Sequence, residues 1–288
     1  STADFSTLAL SADTSVTLGG DRTVGNLLFG DISGLYNWDL SAGSGGILTM
    51  SVSSGSPTIT VTNQSATIGV PMTINALIKN GPGTLVLTGT NNFPSSSSSL
   101  VVTNGTLTYS GAGASTVNGY VYVGDNNGRA VLNMNSSGTV NLQPGGSGKI
   151  YVGGTATSGG GTDTGAGVIN QTSGTVYVNA GLNLKIAAGS ATSYGGVNLQ
   201  GGTMTISGTV QNGYGGVGVF NQSGGALTVT KYFGVAGYSG AVGVATFIGG
   251  TAALDAAGGA EISIGDGGNS STYGTFNVGT LAGGNAVV

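Results

Sequence analysis

Histidine and cysteine are both missing from this 288-residue chain. Their absence removes the commonest bases, nucleophiles and transition-metal ligands, and with them disulfides, thiolate metal sites and the ordinary serine triad. Charge is scarce too: six basic and ten acidic residues give a net charge of −4 and a pI near 4.3. The basic residues stand singly at Arg22, Lys79, Arg129, Lys149, Lys185 and Lys231, so none of them gathers into the positive stripe that a nucleic acid requires. A Ser-Lys pair has little support, because each lysine sits in a strand-like or turn-like repeat context.

No apolar run approaches the roughly 18 residues that cross a bilayer as a helix. Residues 1–30 lack a basic segment followed by an apolar one, so the expectation is a processed chain or an internal fragment. Its last stretch, "TLAGGNAVV", reads as repeat that continues beyond residue 288. Aromatic girdles are also lacking, which argues against a transmembrane barrel.

What the chain has in quantity is glycine, 59 residues without a three-residue period, and only five prolines, so collagen is excluded. Between the glycines stand Thr, Val, Ser, Asn, Leu, Ala and Tyr, with little of the Lys, Glu, Arg and Gln that cover exposed helices. The default element is therefore the strand. Hydrophobic residues make up 39% and mean hydropathy is +0.25, which excludes a self-repelling disordered chain.

A repeat emerges on the word Gly-Thr-apolar. It recurs from Gly138, Gly174, Gly202, Gly225, Gly250 and Gly279, at steps of 36, 28, 23, 25 and 29 residues. Such steps are too short for a compact domain and suit one supersecondary unit stacked on its copies. The first step is long because residues 153–167, "GGTATSGGGTDTGAG", form an insertion at one corner. Asn170, Asn198 and Asn221 each precede a repeat glycine by four residues, and Thr246 fills that slot next. Stacked at the strand spacing of about 4.8 Å, their amides are expected to form a ladder at a turn.

The first half follows the same logic more loosely. Segments 23–30, 45–51, 57–62, 66–70, 83–89 and 99–111 read as period-two strands, and Gly83 to Gly105 spans one coil of 22 residues. Within it, "ALIKNGPGTLVLTGTNNF" followed by "SLVVTNGTLTYSG", residues 76–111, is similar to the autotransporter-associated β-strand repeat. Gly81, Gly83, Thr84, Leu85, Leu87, Gly89 and Asn91 match its pattern, Phe93 takes the aromatic place, and Gly105-Thr106-Leu107 closes the unit. Residues 94–99 depart from the family's turn, and the likeness weakens after about residue 119. The resemblance implies a right-handed parallel β-helix of a secreted or surface-displayed bacterial passenger, adhesive or structural, with no catalytic residues to carry over.

Candidate chemistry is sparse. Asp255, Glu261 and Asp266 could face one another as hydrolytic or lyase acids, but the last basic residue, Lys231, lies more than a coil earlier. "GDNNG" at 124–128 and "GDGGN" at 265–269 offer one carboxylate each, too few for a strong calcium loop and well suited to capping a turn. Runs such as "GAGAS" lack the following helix and lysine of a phosphate loop. Tyr194, Tyr214, Tyr238 and Tyr273 recur near one loop of the repeat and are candidate contacts for sugar rings or a neighbouring subunit.

The sequence thus predicts an all-β chain: a single elongated right-handed parallel β-helix of about 22–29 residues per coil, with roughly 11 to 12 coils. Residues 1–45, which hold six of the sixteen charged residues and Trp38, are expected to act as a cap or subunit contact. Residues 46–118 form the solenoid with the autotransporter-like repeat, and 119–288 the degenerate coils. The expected function is a non-catalytic structural protein of the bacterial cell surface or extracellular matrix. It would need no cofactor and would self-associate through solenoid ends or sides. The alternative is an adhesin that binds glycans or host surfaces through its tyrosines.

Overall fold

Short alternating segments flanked by glycine can bury only one face, and they do so here by winding round a common interior. The computed structural model describes residues 1–62, 64–142, 149–155, 162–178, 183–238, 240–254, 261–265 and 272–279. Among these, thirty-two strands of three to six residues alternate with corners, and no helix occurs. The strands fall into three parallel sheets, here A, B and C, with eleven, eleven and ten members. Each strand pairs with the third one before and the third one after it, so one turn contributes one strand to each sheet. The architecture is a three-sided parallel β-solenoid of ten complete turns and two strands of an eleventh.

The stack is slightly shorter than the expected 11 to 12 coils because some turns consume more chain. In sheet B the step from Asn133 to Asn170 is 37 residues, against 28 and 23 for the two that follow. The repeat word itself fixes the register of sheet C, where Thr139, Thr175, Thr203, Ala226 and Thr251 pair in succession. Segment 23–30 divides at Gly25 into Arg22–Val24 of sheet C and Asn26–Phe29 of sheet A. Segment 99–111 likewise divides into Leu100–Val102 and Gly105–Tyr109.

Alternation decides which side chains enter the core. In sheet B one inward file runs Trp38, Ala66, Leu85, Leu107, Leu132, Ile169, Val197, Phe220 and Ala245, all buried. Burying a Val, Leu, Ile or Phe side chain contributes about 1.5–3 kcal/mol. A strand slip of one residue would turn the whole file outward. Phe220, Phe233, Phe247 and Phe276 interlock near the end of the described stack, with centroids 5.1–6.2 Å apart.

Glycine lets backbone meet backbone where one corner stacks on another. Gly105 has φ +72°, and a Cβ there would lie 2.4 Å from Gly81 O and 2.6 Å from Gly83 O. Gly81 has φ +78°, and a Cβ there would lie 2.3 Å from Val61 O. These glycines of the autotransporter-like repeat serve corners, as their spacing suggested. Leu85, Leu87 and Phe93 point inward from the same unit and are fully buried.

Three polar devices tie successive turns. Asn170, Asn198 and Asn221 bond amide to amide as anticipated, and Asn133 extends the ladder by one rung, at 2.9–3.1 Å throughout. It lies on the outer face of sheet B strands rather than at a turn, since strands such as Ala166–Gln171 reach past the asparagine. Inside, Gln171 and Gln222 donate from Nε2 to Thr203 O and Thr251 O of the next turn at 2.9 and 2.8 Å. Lys79 is fully buried, and its ammonium donates to the carbonyls of Asn80, Gly81 and Asn104 at 2.7–3.1 Å.

Candidate functional site

Three of the five aspartates in residues 1–45, Asp13, Asp21 and Asp31, serve corners, whereas Asp39 stands within strand Trp38–Ser41. Asp31 accepts backbone N–H groups of Leu10, Ser33, Leu35 and Tyr36 at 2.8–3.3 Å, together with the Ser33 hydroxyl. Burial raises its carboxyl, but these bonds outweigh that and hold it well below the usual carboxylate range. Asp13 accepts Asn37 N–H, and Asp21 accepts Ile47 N–H, each at 2.8 Å from the following turn. Trp38 belongs to the buried inward file; its Nε1 donates to Gly30 O at 2.6 Å, and its ring packs against Phe5.

The "GDNNG" corner closes in a similar way. Asn126 and Asn127 adopt left-handed φ of 54° and 59°, and their N–H groups donate to Asp163 at 3.1 and 2.8 Å. Asp163 also accepts the N–H groups of Thr155 and Gly165. Burial, and then the neighbouring Asp163 carboxylate, push the Asp125 carboxyl upward, whereas the backbone donors outweigh burial at Asp163 and hold it below its ordinary value. With its oxygens committed to backbone donors, Asp163 acts as a clasp across the long turn. Glu261 is exposed at a corner, whereas Asp255 and Asp266 lie outside the described residues. Among the described residues, no three acids gather as metal ligands.

The four candidate tyrosines divide into two sets. Tyr194 and Tyr273 open strands of sheet B in one outward row, Tyr194, Val217, Val242, Tyr273, and are 41% and 66% exposed. Tyr214 and Tyr238 sit instead at corners that follow sheet A strands. Tyr214 is only 4% exposed, and the ring of Tyr238, 39% exposed, meets it edge-on at 4.4 Å.

The second set is part of a larger cluster on the outer face of sheet A. There Tyr122, Tyr151, Lys185 and Gln211 pair in one file along the solenoid axis. Tyr120 stacks on Tyr122 at 5.8 Å, and Tyr122 on Tyr151 at 5.4 Å with parallel planes. The next position is Gly234, over which the Tyr232 ring folds. Lys185 is 5% exposed, and its Nζ lies 3.4 Å from the centre of the Tyr214 ring.

Among the described residues, no carboxylate forms an ion pair with that lysine. Burial, and then repulsion from Lys149 on the neighbouring strand, bring its ammonium down to about 8. Burial pushes the Tyr122 hydroxyl up to about 12 and Tyr151 in the same direction. Beside Lys185 in the file, Gln211 keeps a buried Oε1 without a donor. Sequence spacing found Tyr214 and Tyr238, but it missed Tyr122, Tyr151 and Lys185. Their outward alternation on sheet A was the available signal, hidden because the turns that join them differ in length.

The fold defines a three-faced parallel β-solenoid. No protein-family model, no curated protein and no solved structure matches the chain. No helix among the described residues is long and apolar enough to cross a membrane.

Proposed function

We propose that this chain is a non-catalytic structural protein of the bacterial cell surface or extracellular matrix, a β-solenoid building block that self-associates into fibres or a coat. The observation that supports this reading is the outer face of sheet B. Its row of Tyr194, Val217, Val242 and Tyr273 runs parallel to the asparagine ladder, with the row of Gly196, Val219 and Val244 between them, and all three are uncharged and repeat at the strand spacing. Such a face is complementary to a second copy, because apolar and amide rows of equal pitch mesh. The autotransporter-like unit at residues 76–111 supports the surface location.

The test is light scattering and electron microscopy across concentration and salt. Self-association is expected, and Val217→Lys with Tyr273→Lys should abolish it; isolated monomers of the unaltered chain under every condition would overturn the reading.

A second reading, adhesion to glycans, rests on the aromatic file with Lys185 on sheet A. Aromatic rings and a polar partner are the usual means of holding a sugar. A broad glycan array without a single hit would count against it.

A further inference from the structure

Around Lys149 and Lys185 the outer face of sheet A carries a positive charge that no carboxylate among the described residues pairs with; Asp125 lies near Tyr122, at the other end of the file. Lys149 and Lys185 project from adjacent strands onto one face, and neither forms an ion pair among the described residues. A buried ammonium without a counter-charge is costly, and a second one beside it adds repulsion. Every other well-buried charged group has partners: Lys79 has three carbonyls, and Asp31 has its corner N–H groups. Among the described residues, Lys185 has the face of Tyr214 in place of such partners.

We propose that this face binds an anionic polysaccharide, laid along the solenoid axis over Tyr122, Tyr151 and Gln211 with its acidic groups drawn to Lys149 and Lys185. The proposal rests on the glycan-adhesion reading and adds the charge and direction of the ligand. Half-buried Lys149 makes the direct contact, and Lys185 adds its field from beneath the Tyr214 and Tyr238 rings, where reduced solvent screening strengthens it. The file repeats at the strand spacing of about 4.8 Å, so a chain laid along the axis runs past the outward edges of the stacked tyrosines toward Lys149. Neutral glycans would leave both ammonium groups unpaired, and a polypeptide polyanion would gain little from the rings.

Titration calorimetry on the full chain tests this with polygalacturonate, its fully methyl-esterified form, a chondroitin sulfate, neutral dextran and polyglutamate. The acidic polysaccharides should bind at least about tenfold more tightly than the ester or dextran, and the carboxylated and sulfated arms reveal which anion is preferred. Lys149→Gln and Tyr122→Ala should each weaken binding by roughly threefold or more with an unchanged circular dichroism spectrum. Lys185→Met should weaken it further; if that variant misfolds, the Lys149→Gln and ester comparisons still decide.

Equal binding of acid and ester would overturn the charge inference and leave glycan adhesion standing. Binding to no polysaccharide would overturn both. Polyglutamate binding as tight as that of the sugars, or indifference to Lys149→Gln, would also overturn the proposal.

Discussion

Asn198 donates its side-chain amide to Asn170 at 2.9 Å and accepts that of Asn221 at 3.1 Å, so a single residue joins three turns of the solenoid. Asn198→Ala removes both bonds and leaves Asn221 Nδ2 and Asn170 Oδ1 without this partner. The expected loss is about 1–2 kcal/mol, read as a lower denaturation midpoint with an unchanged slope. A change below a few tenths of a kcal/mol would mean that the amides bond to water equally well.

Close stacking of corners makes glycine substitutions sharply position-dependent. Gly105→Ala drives a Cβ against the Gly81 and Gly83 carbonyls at a positive φ, and should destabilise by about 3 kcal/mol or more. Gly237→Ala meets nothing within 4 Å and should stay within about 0.5 kcal/mol of the parent. Thermal melts of the two variants side by side provide the comparison.

Much of this fold was legible before any coordinates, because a solenoid writes its register into the sequence. Gly-Thr-apolar words at 138, 174, 202, 225 and 250 mark paired strand starts, and the asparagines four residues before Gly174, Gly202 and Gly225 mark a real ladder. Strands Thr2–Asp4 and Thr14–Thr17 were not legible. There aspartate carboxylates close corners that glycine closes elsewhere, and the concentration of charge in residues 1–45 read as a cap or subunit contact rather than as coils. The sheet A cluster stayed hidden for a different reason: Tyr122, Tyr151 and Lys185 align only once unequal turns are wound to the same height.

Lys79 predicts an unusual alkaline response. Burial brings its ammonium down to about 8 against an ordinary 10.5, as it does for Lys185. Between pH 8 and 10 the unfolded chain therefore holds more protons than the folded one, and stability should rise with pH through that window. Lys79→Met should flatten the rise, and Lys79→Met with Lys185→Met should remove most of it, measured by urea denaturation from pH 7 to 10. A slope of the opposite sign would show that the three carbonyls outweigh desolvation.

At the acidic end, Asp31 sets the sensitivity. Its folded-state carboxyl lies below its ordinary value, so its contribution is present above about pH 4 and is lost as pH falls through the lower folded value. Asp31→Asn puts an amide donor among N–H donors and should lower stability at neutral pH, read as a lower denaturation midpoint. The variant should also lose part of the acid-induced drop in melting temperature.

The turn of 37 residues and the turn of 23 each raise the asparagine ladder by one rung. Chain length and axial height are therefore decoupled in this molecule. A corner can lengthen, as the one closed by Asp163 has, while every rung above and below keeps its register. New surface chemistry can be added at corners one at a time, and the ladder transmits none of the change.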